Sequence, residues 1–172
     1  MKEEYRGKAW VFGDNIIADV GFAFSEENKY LNDPSELSRY CMVGYDPEFP
    51  SKVMPGDIIV AGRNFGSGHA HPQFPLSIKG AGVDVVVAES FARDLFRVIV
   101  SLGYPIPVIC PGVTHKVQSG DLLKIDIKSA VIYNENQKTR IEIQPIPKEI
   151  MLRIDAGGML NYVQQFLKNK AD

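Results

Sequence analysis

The segment from residue 62 to residue 73 carries the side chains best suited to chemistry in this chain. It contains Gly66 and Gly68, and glycine allows the backbone to adopt positive φ angles and to approach a ligand closely. It also contains His69 and His71, two positions apart. Imidazoles titrate near neutral pH, so they can transfer protons or bind carboxylates. The segment therefore predicts a loop with acid–base or anion-binding capacity.

The neighbours of this segment indicate what kind of anion it binds. A predicted buried strand, residues 57–61, precedes it, and a predicted helix follows that begins between Pro72 and Pro75. In open α/β sheets, ligands bind between the end of a strand and the start of the next helix, where the helix N-terminus favours a carboxylate or phosphate. The dinucleotide fingerprint requires a third glycine where His71 stands, and no Lys-Ser or Lys-Thr pair forms a P-loop. A nucleotide is therefore disfavoured.

The two histidines have three interpretations from the residues alone. As metal ligands they would need one or two more donors, such as His115, Asp14 or Asp19. As solvated loop residues they would have no role. As acid–base and carboxylate-binding groups they would suit the position of the loop. The last interpretation is favoured.

The elements around this segment predict an α/β fold. Apolar strands at 57–61, 83–88 and 106–109 alternate with helices that end near Gly80 and Gly103, which is typical of a parallel sheet. A strand at 9–12 precedes them, with a long loop at 16–32, a helix from Asp33 to about Met42, and an extended connection marked by prolines 47, 50 and 55. After Gly112 come three meander strands and two helices, predicted at 121–127, 129–133, 139–143, 148–156 and 159–168. One domain is expected over residues 1–172, with a parallel core and a β-rich second half.

Composition excludes several classes of protein. The 172 residues suit one domain, and a net charge of −2 with scattered Lys and Arg argues against nucleic-acid and anionic-membrane surfaces. No apolar run reaches the roughly 20 residues of a membrane span, and the N-terminus lacks a signal-peptide pattern. A cytoplasmic protein is expected. Cys41 and Cys110 are predicted to be buried thiols, and they are too few for the ligands of an iron–sulfur cluster.

Five stretches of the chain resemble the aconitase swivel-domain family. Within that family the resemblance is greatest to the free-standing small subunits of isopropylmalate isomerase (3-isopropylmalate dehydratase) and homoaconitase. The stretches are Gly-Lys-Ala-Trp-Val-Phe-Gly-Asp at 7–14, Lys-Tyr-Leu-Asn-Asp-Pro at 29–34, Gly-Arg-Asn-Phe-Gly-Ser-Gly at 62–68, Ala-Glu-Ser-Phe-Ala-Arg at 88–93 and Ala-Gly-Gly-Met-Leu-Asn-Tyr at 156–162. Their order and spacing extend the resemblance over nearly the whole chain.

The resemblance implies a swivelling β/β/α domain that closes over a larger partner subunit in a heterodimer or heterotetramer. It implies no cofactor in this chain and a 4Fe–4S cluster on the large subunit, whose open iron binds the hydroxyl and carboxylate of the substrate. The small subunit would supply the base that removes a carbon-bound proton. The implied reaction is reversible dehydration of a small hydroxy di- or tricarboxylic acid, as in leucine biosynthesis.

The chain departs from the family at the loop that carries the chemistry. The family loop continues Ser-Ser-Arg-Glu, with the first serine as base and the arginine on a substrate carboxylate. Here those positions are His69, Ala70, His71 and Pro72. The family's acidic position in the first loop is kept by Asp19, although the threonine usually before it is Ala18. A third departure is Phe-Arg-Val at 96–98, where the family often has Tyr-Arg-Asn.

Two hypotheses follow from these departures. In the first, His69 replaces the serine and His71 replaces the arginine, so the preferred acid differs from isopropylmalate. In the second, the protein is a non-catalytic or metal-binding swivel domain. The first is preferred, because loss of function would not be expected to introduce two titratable residues. Its catalytic residues are His69 and His71, and its expected substrate-binding residues are Asn64, Gly66, Ser67, Gly68, Ala70, Lys29 and Tyr30.

Overall fold

Runs of β-branched and other apolar residues form the parallel half of one seven-stranded sheet. A computed structural model describes residues 2–25 and 27–171, so Met1, Glu26 and Asp172 of the expected domain lie outside the described residues. Four parallel strands lie in the order β4-β3-β2-β1. Their bounds are β1 Glu4–Val11, β2 Ile58–Ala61, β3 Val85–Ala88 and β4 Ile106–Ile109. Every residue of β2 and β3 is buried, which explains why these strands are continuously apolar.

The second half of the sheet is an antiparallel meander. It consists of β5 (Leu122–Asp126), β6 (Val131–Asn134) and β7 (Thr139–Glu142). Strand β1 joins the two halves, because it pairs in parallel with β2 and antiparallel with β5. The prediction of a parallel core with a β-rich second half is confirmed.

From residue 73 onward the helices agree with the predicted ones, and before it they differ. Their bounds are α1 Ala18–Gly21, α2 Pro34–Leu37, α3 Phe49–Lys52, α4 Gln73–Gly80, α5 Arg93–Leu102, α6 Lys148–Asp155 and α7 Met159–Ala171. Two short helices, α1 and α3, interrupt segments that were predicted to be loop and extended chain. Both are single turns, which are too short for apolar periodicity to reveal. In the part of the chain that the structure describes, no helix is long and apolar enough to cross a membrane.

Helix α5 packs on one apolar core through Leu95 and Ile99, and it also buries Val100. It ends at Leu102, and Gly103 follows with a left-handed φ of +71°. The prediction that this helix ends near Gly103 is confirmed.

Two apolar cores lie on opposite faces of the sheet. Strand β2 shows the alternation, because Ile58 and Val60 belong to one core whereas Ile59 and Ala61 belong to the other. The first core also contains residues of β5 and β6 together with Ile154 of α6. The second core contains residues from α4, α5 and the segments before β2. The candidate site lies above the second core.

Candidate active site in the glycine–histidine loop

The chain leaves β2 at Ala61 and enters the glycine–histidine loop, defined here as residues 62–72. Gly66 has a φ of +80°, and a Cβ at this position would lie 1.7 Å from Leu95 Cδ2. Only glycine fits there, because the loop packs directly onto α5. Gly68 also has a positive φ, +83°, and a Cβ there would lie 2.9 Å from Ile17 Cγ2. Both glycines therefore set the path of the loop toward the segment that carries Asp19.

Main-chain hydrogen bonds join the loop to the connection that follows β1. The N–H groups of Gly66 and Ser67 donate to the Ile16 carbonyl at 2.7 and 3.0 Å, and Ala18 N–H donates to the Ser67 carbonyl at 2.7 Å. Ile17 and Ser67 thereby form a parallel bridge. This pairing places α1 beside the second half of the loop.

Asp19 of α1 lies between the two imidazoles, and we call Asp19, His69 and His71 the imidazole cluster. His69 Nδ1 is 3.0 Å from Asp19 Oδ2, and the His69 backbone N–H donates to the same oxygen at 3.3 Å. His71 Nε2 is 3.7 Å from Asp19 Oδ1. The side chains of His69, His71 and Asp19 are 84%, 42% and 29% exposed. The cluster therefore faces the surface and is accessible to a substrate or a partner.

His71 is also held by the connection that contains Phe24. The two rings are stacked, with centroids 4.4 Å apart and planes 10° from parallel. The same connection is tied to α4, because Gln73 Nε2 donates to the Lys29 carbonyl at 3.0 Å. Lys29 Nζ lies 4.8 Å from the centre of the Tyr30 ring, and Tyr30 is exposed. Lys29 is thus linked to Gln73, which directly follows the glycine–histidine loop, and Tyr30 is linked through its contact with Lys29. Both were predicted to bind substrate.

The remaining predicted site residues lie around the loop in different environments. Asn64 is hydrogen-bonded to residues outside the imidazole cluster, since its Nδ2 donates to Asn15 Oδ1 at 3.0 Å and its backbone N–H donates to Ser90 Oγ at 2.9 Å. The Ser67 hydroxyl donates to the Ile16 carbonyl at 3.4 Å. Ala70 is half-buried against the second core. These residues shape the loop, and their roles toward a substrate stay predictions.

An apolar rim lies next to the imidazole cluster, because two of its members are within two residues of Asp19 and a third stacks on His71. We define it as Ile17, Val20, Phe24 and Tyr45, whose side chains are 37–41% exposed. Tyr45 is anchored because its hydroxyl accepts a hydrogen bond from Ile17 N–H at 2.6 Å. Exposed apolar patches of this kind are often covered by another protein or by a ligand. A cavity of about 660 Å³ lies elsewhere, and its lining includes His115 and Arg140 but neither His69 nor His71.

Neither cysteine can serve as a ligand of a shared cluster. Cys41 belongs to the second core and Cys110 to the first, so they lie on opposite faces of the sheet. Burial raises the pKa of the Cys41 thiol to about 12 and also raises the pKa of Cys110. The donor set of this chain does not fit an iron–sulfur cluster. Across residues 2–25 and 27–171, no three or more His, Cys, Asp or Glu side chains are arranged to hold a metal ion.

Asp14, one of the acids considered as a metal ligand, is engaged elsewhere. Its Oδ2 accepts hydrogen bonds from the Arg63 guanidinium at 2.7 and 3.1 Å, and its Oδ1 accepts one from Arg63 N–H. These hydrogen bonds hold the pKa of the Asp14 carboxyl below its usual range. Asp19 is the acid that the structure brings to the histidines, and the sequence had indicated it both as a possible metal donor and by its family position.

Comparison with known proteins identifies the family. The family model of the aconitase C-terminal domain matches residues 14–98. A protein of Nautilia profundicola named 3-isopropylmalate dehydratase small subunit is 43% identical over 164 residues, which cover 94% of this chain and 95% of that protein. This chain belongs to the family of 3-isopropylmalate dehydratase small subunits. The family assignment made from the five sequence stretches is confirmed.

Other members of the 3-isopropylmalate dehydratase small-subunit family agree in sequence and fold. A Methanocaldococcus jannaschii protein named isopropylmalate/citramalate isomerase small subunit is 38% identical over 96% of each chain. The crystal structure of 3-isopropylmalate dehydratase from M. jannaschii superimposes with a TM-score of 0.89 at 33% identity, covering 98% of this chain and 99% of that one. The swivel-domain fold is therefore confirmed. The family consists of small subunits of a hydro-lyase, and the term small subunit implies a large one.

Proposed function

We propose that residues 1–172 form one swivel domain that acts as the proton-transferring small subunit of a 3-isopropylmalate dehydratase-like enzyme. The reaction is reversible dehydration of a small hydroxy di- or tricarboxylic acid, with an alkyl-substituted malate as the favoured class. The observation that carries the proposal is the imidazole cluster. Its two histidines stand in the loop at the positions that resemble the family's serine and arginine, and Asp19 contacts both rings. The proposal includes a cytoplasmic location and a role in amino-acid biosynthesis, including that of leucine.

His69 is the proposed general base. A base must be able to come within hydrogen-bonding distance, about 2.6–3.2 Å, of the proton that it removes. The His69 ring is 84% exposed at the surface, and its Nδ1 is already engaged by Asp19. Nε2 is then the nitrogen left to accept the carbon-bound proton of a substrate.

His71 is the proposed partner of a substrate carboxylate. Its ring plane is fixed by the stack on Phe24, so a carboxylate meets a ring of defined orientation. An imidazolium cannot reproduce the two parallel hydrogen bonds of a guanidinium, and it reaches less far from the backbone. We therefore expect the preferred acid to differ from isopropylmalate in its size or in the position of its carboxylates.

The apolar rim supports docking onto a large subunit. Its side chains lie next to titratable groups that are open to water, since Phe24 stacks on His71 and the His69 side chain is 84% exposed. Covering the rim would exclude water from the imidazole cluster and strengthen its electrostatic interactions. We propose that the large subunit provides this cover together with the 4Fe–4S cluster, in a heterodimer or heterotetramer.

The proposal is tested by reconstitution. The chain is mixed anaerobically with its large subunit, and hydroxy acids are screened by the ultraviolet absorbance of the unsaturated product. His69→Ala is expected to lower kcat by about 10²-fold or more, the usual contribution of a positioned base. His115→Ala is the matched control, because it removes an imidazole from the 3-10 turn at Val113–His115. Unchanged turnover in His69→Ala, or a parent mixture without dehydratase activity, would contradict the proposal.

A further inference from the structure

Asp19 makes two hydrogen bonds to one histidine through a single oxygen. Its Oδ2 lies 3.0 Å from His69 Nδ1 and accepts the His69 backbone N–H at 3.3 Å. A carboxylate oxygen can only accept hydrogen bonds, so the ring proton must be on Nδ1. In a neutral ring, Nε2 then carries the lone pair. The contact thus selects which nitrogen of His69 can take a proton from a substrate.

The second carboxylate oxygen of Asp19 faces the other histidine. Asp19 Oδ1 is buried and has no hydrogen-bond partner among residues 2–25 and 27–171. A buried acceptor without a partner is costly. His71 Nε2 is 3.7 Å away, so an approach of roughly 0.5 Å or more toward Oδ1 would make a hydrogen bond. A protonated His71 can donate from Nε2 to Asp19 and from Nδ1 to a substrate carboxylate at the same time.

The backbone holds Asp19 at this place independently of the histidines. Ala18 N–H donates to the Ser67 carbonyl at 2.7 Å, and Ile17 N–H donates to the Tyr45 hydroxyl at 2.6 Å. The position of Asp19 therefore does not depend on either histidine ring.

From these contacts we infer that Asp19 is a positioning residue shared by both imidazoles. It holds His69 with the proton on Nδ1, so that Nε2 is the basic nitrogen, and it offers its second oxygen to His71. The same carboxylate thus orients the proposed base and the proposed carboxylate-binding group. In this arrangement, Asp19, His69 and His71 together take the roles of base and carboxylate partner, for which the family uses one serine and one arginine.

The tautomer of His69 tests this inference without any activity measurement. The full chain is labelled with ¹⁵N-histidine, and the ring nitrogen shifts are recorded at a pH where the rings are neutral. His69 is expected to be mainly the Nδ1–H tautomer in the parent, and Asp19→Ala is expected to shift it toward Nε2–H. Asp14→Ala removes another acid of the same connection, one that pairs with Arg63, and should leave the tautomer of His69 unchanged. A His69 that is mainly Nε2–H in the parent, or that does not respond to Asp19→Ala, would overturn the inference.

The inference rests on the proposed role of His69. A double-mutant cycle in the reconstituted enzyme therefore measures whether Asp19 acts on turnover through His69. Asp19→Ala is expected to lower kcat by about 10-fold or more, a fraction of what a positioned base contributes. Residues that act as a unit are not additive, so Asp19→Ala combined with His69→Ala should be no slower than His69→Ala alone. If the two substitutions lower kcat by independent factors that multiply in the double variant, a positioning role is contradicted. If His69→Ala is fully active, the proposed function fails, and the tautomer measurement still shows whether Asp19 holds the proton on His69 Nδ1.

Discussion

The rings of Phe24 and His71 are stacked 4.4 Å apart and within 10° of parallel. Phe24 belongs to the connection between β1 and α2, whereas His71 lies just before α4. The stack therefore joins the connection that also carries Lys29 and Tyr30 to the second histidine of the glycine–histidine loop. It restricts rotation of the His71 ring and leaves its edge nitrogens for polar partners.

Removing this stack should weaken substrate binding more than turnover. Phe24→Leu keeps apolar volume but loses the flat ring, and aromatic pairs of this kind contribute about 0.5–1.5 kcal/mol. We expect KM to rise about 2- to 10-fold with kcat nearly unchanged, measured with the reconstituted enzyme. Phe24→Tyr retains the ring and serves as the control. A fall in kcat without a change in KM would show that the stack does not act through carboxylate binding.

Replacing His71 should change which acid is preferred. His71→Ala removes the proposed carboxylate contact, so KM is expected to rise. His71→Arg restores a guanidinium at the family position, and charge-assisted bidentate contacts are strong. We expect its kcat/KM for isopropylmalate, relative to the acid preferred by the parent, to increase by about 10-fold. Equal selectivity in parent and His71→Arg would argue against a role for this residue in specificity.

Adding a methyl group at Gly66 should destabilise the protein. The new Cβ would lie 1.7 Å from Leu95 Cδ2, and the φ of +80° is unfavourable for alanine. Overpacking alone costs about 1–3 kcal/mol, so the free energy of unfolding of Gly66→Ala should fall by at least that amount in urea titrations. Gly13→Ala is the control, since nothing lies within 4 Å of its Cβ position. Equal stability of the two variants would contradict the packing of the loop on α5.

Asp121 should contribute stability at neutral pH that is lost in acid. Burial raises the pKa of its carboxyl. Hydrogen bonds to Oδ2 from Gln118 N–H and from the Asn134 and Gln137 side-chain amides lower the pKa, and together they outweigh burial, so the net shift is downward. A carboxyl whose pKa is lower in the folded state stabilises above its unfolded pKa, about 3.9, and loses this effect as the pH falls through the folded value. In urea titrations, Asp121→Asn should lower the free energy of unfolding at pH 7, with a difference that shrinks below pH about 4. Glu3→Gln, an exposed carboxyl, is the control, and a difference independent of pH would contradict the assignment.

Most elements of the fold could be predicted because their signals are local. The apolar runs of β2 and β3 and the paired glycines before α7 specify strands and a helix boundary within a few residues. The N-cap of α2 is an example, since Asp33 accepts the Ser35 N–H at 2.8 Å as its sequence predicts. The one-turn helices α1 and α3 could not be predicted, because a single turn does not repeat and therefore shows no apolar periodicity.

The sequence by itself determined the family, the α/β class and the loop that carries the two histidines. Only the tertiary structure decided that Asp19 lies against His69, 50 positions later in the chain, and that Phe24 stacks on His71. The physical reason is that Asp19 and the loop meet through main-chain hydrogen bonds between Ile16, Ala18 and Ser67. Backbone N–H and C=O groups are the same in nearly every residue, so the amino-acid types do not reveal which of them will pair.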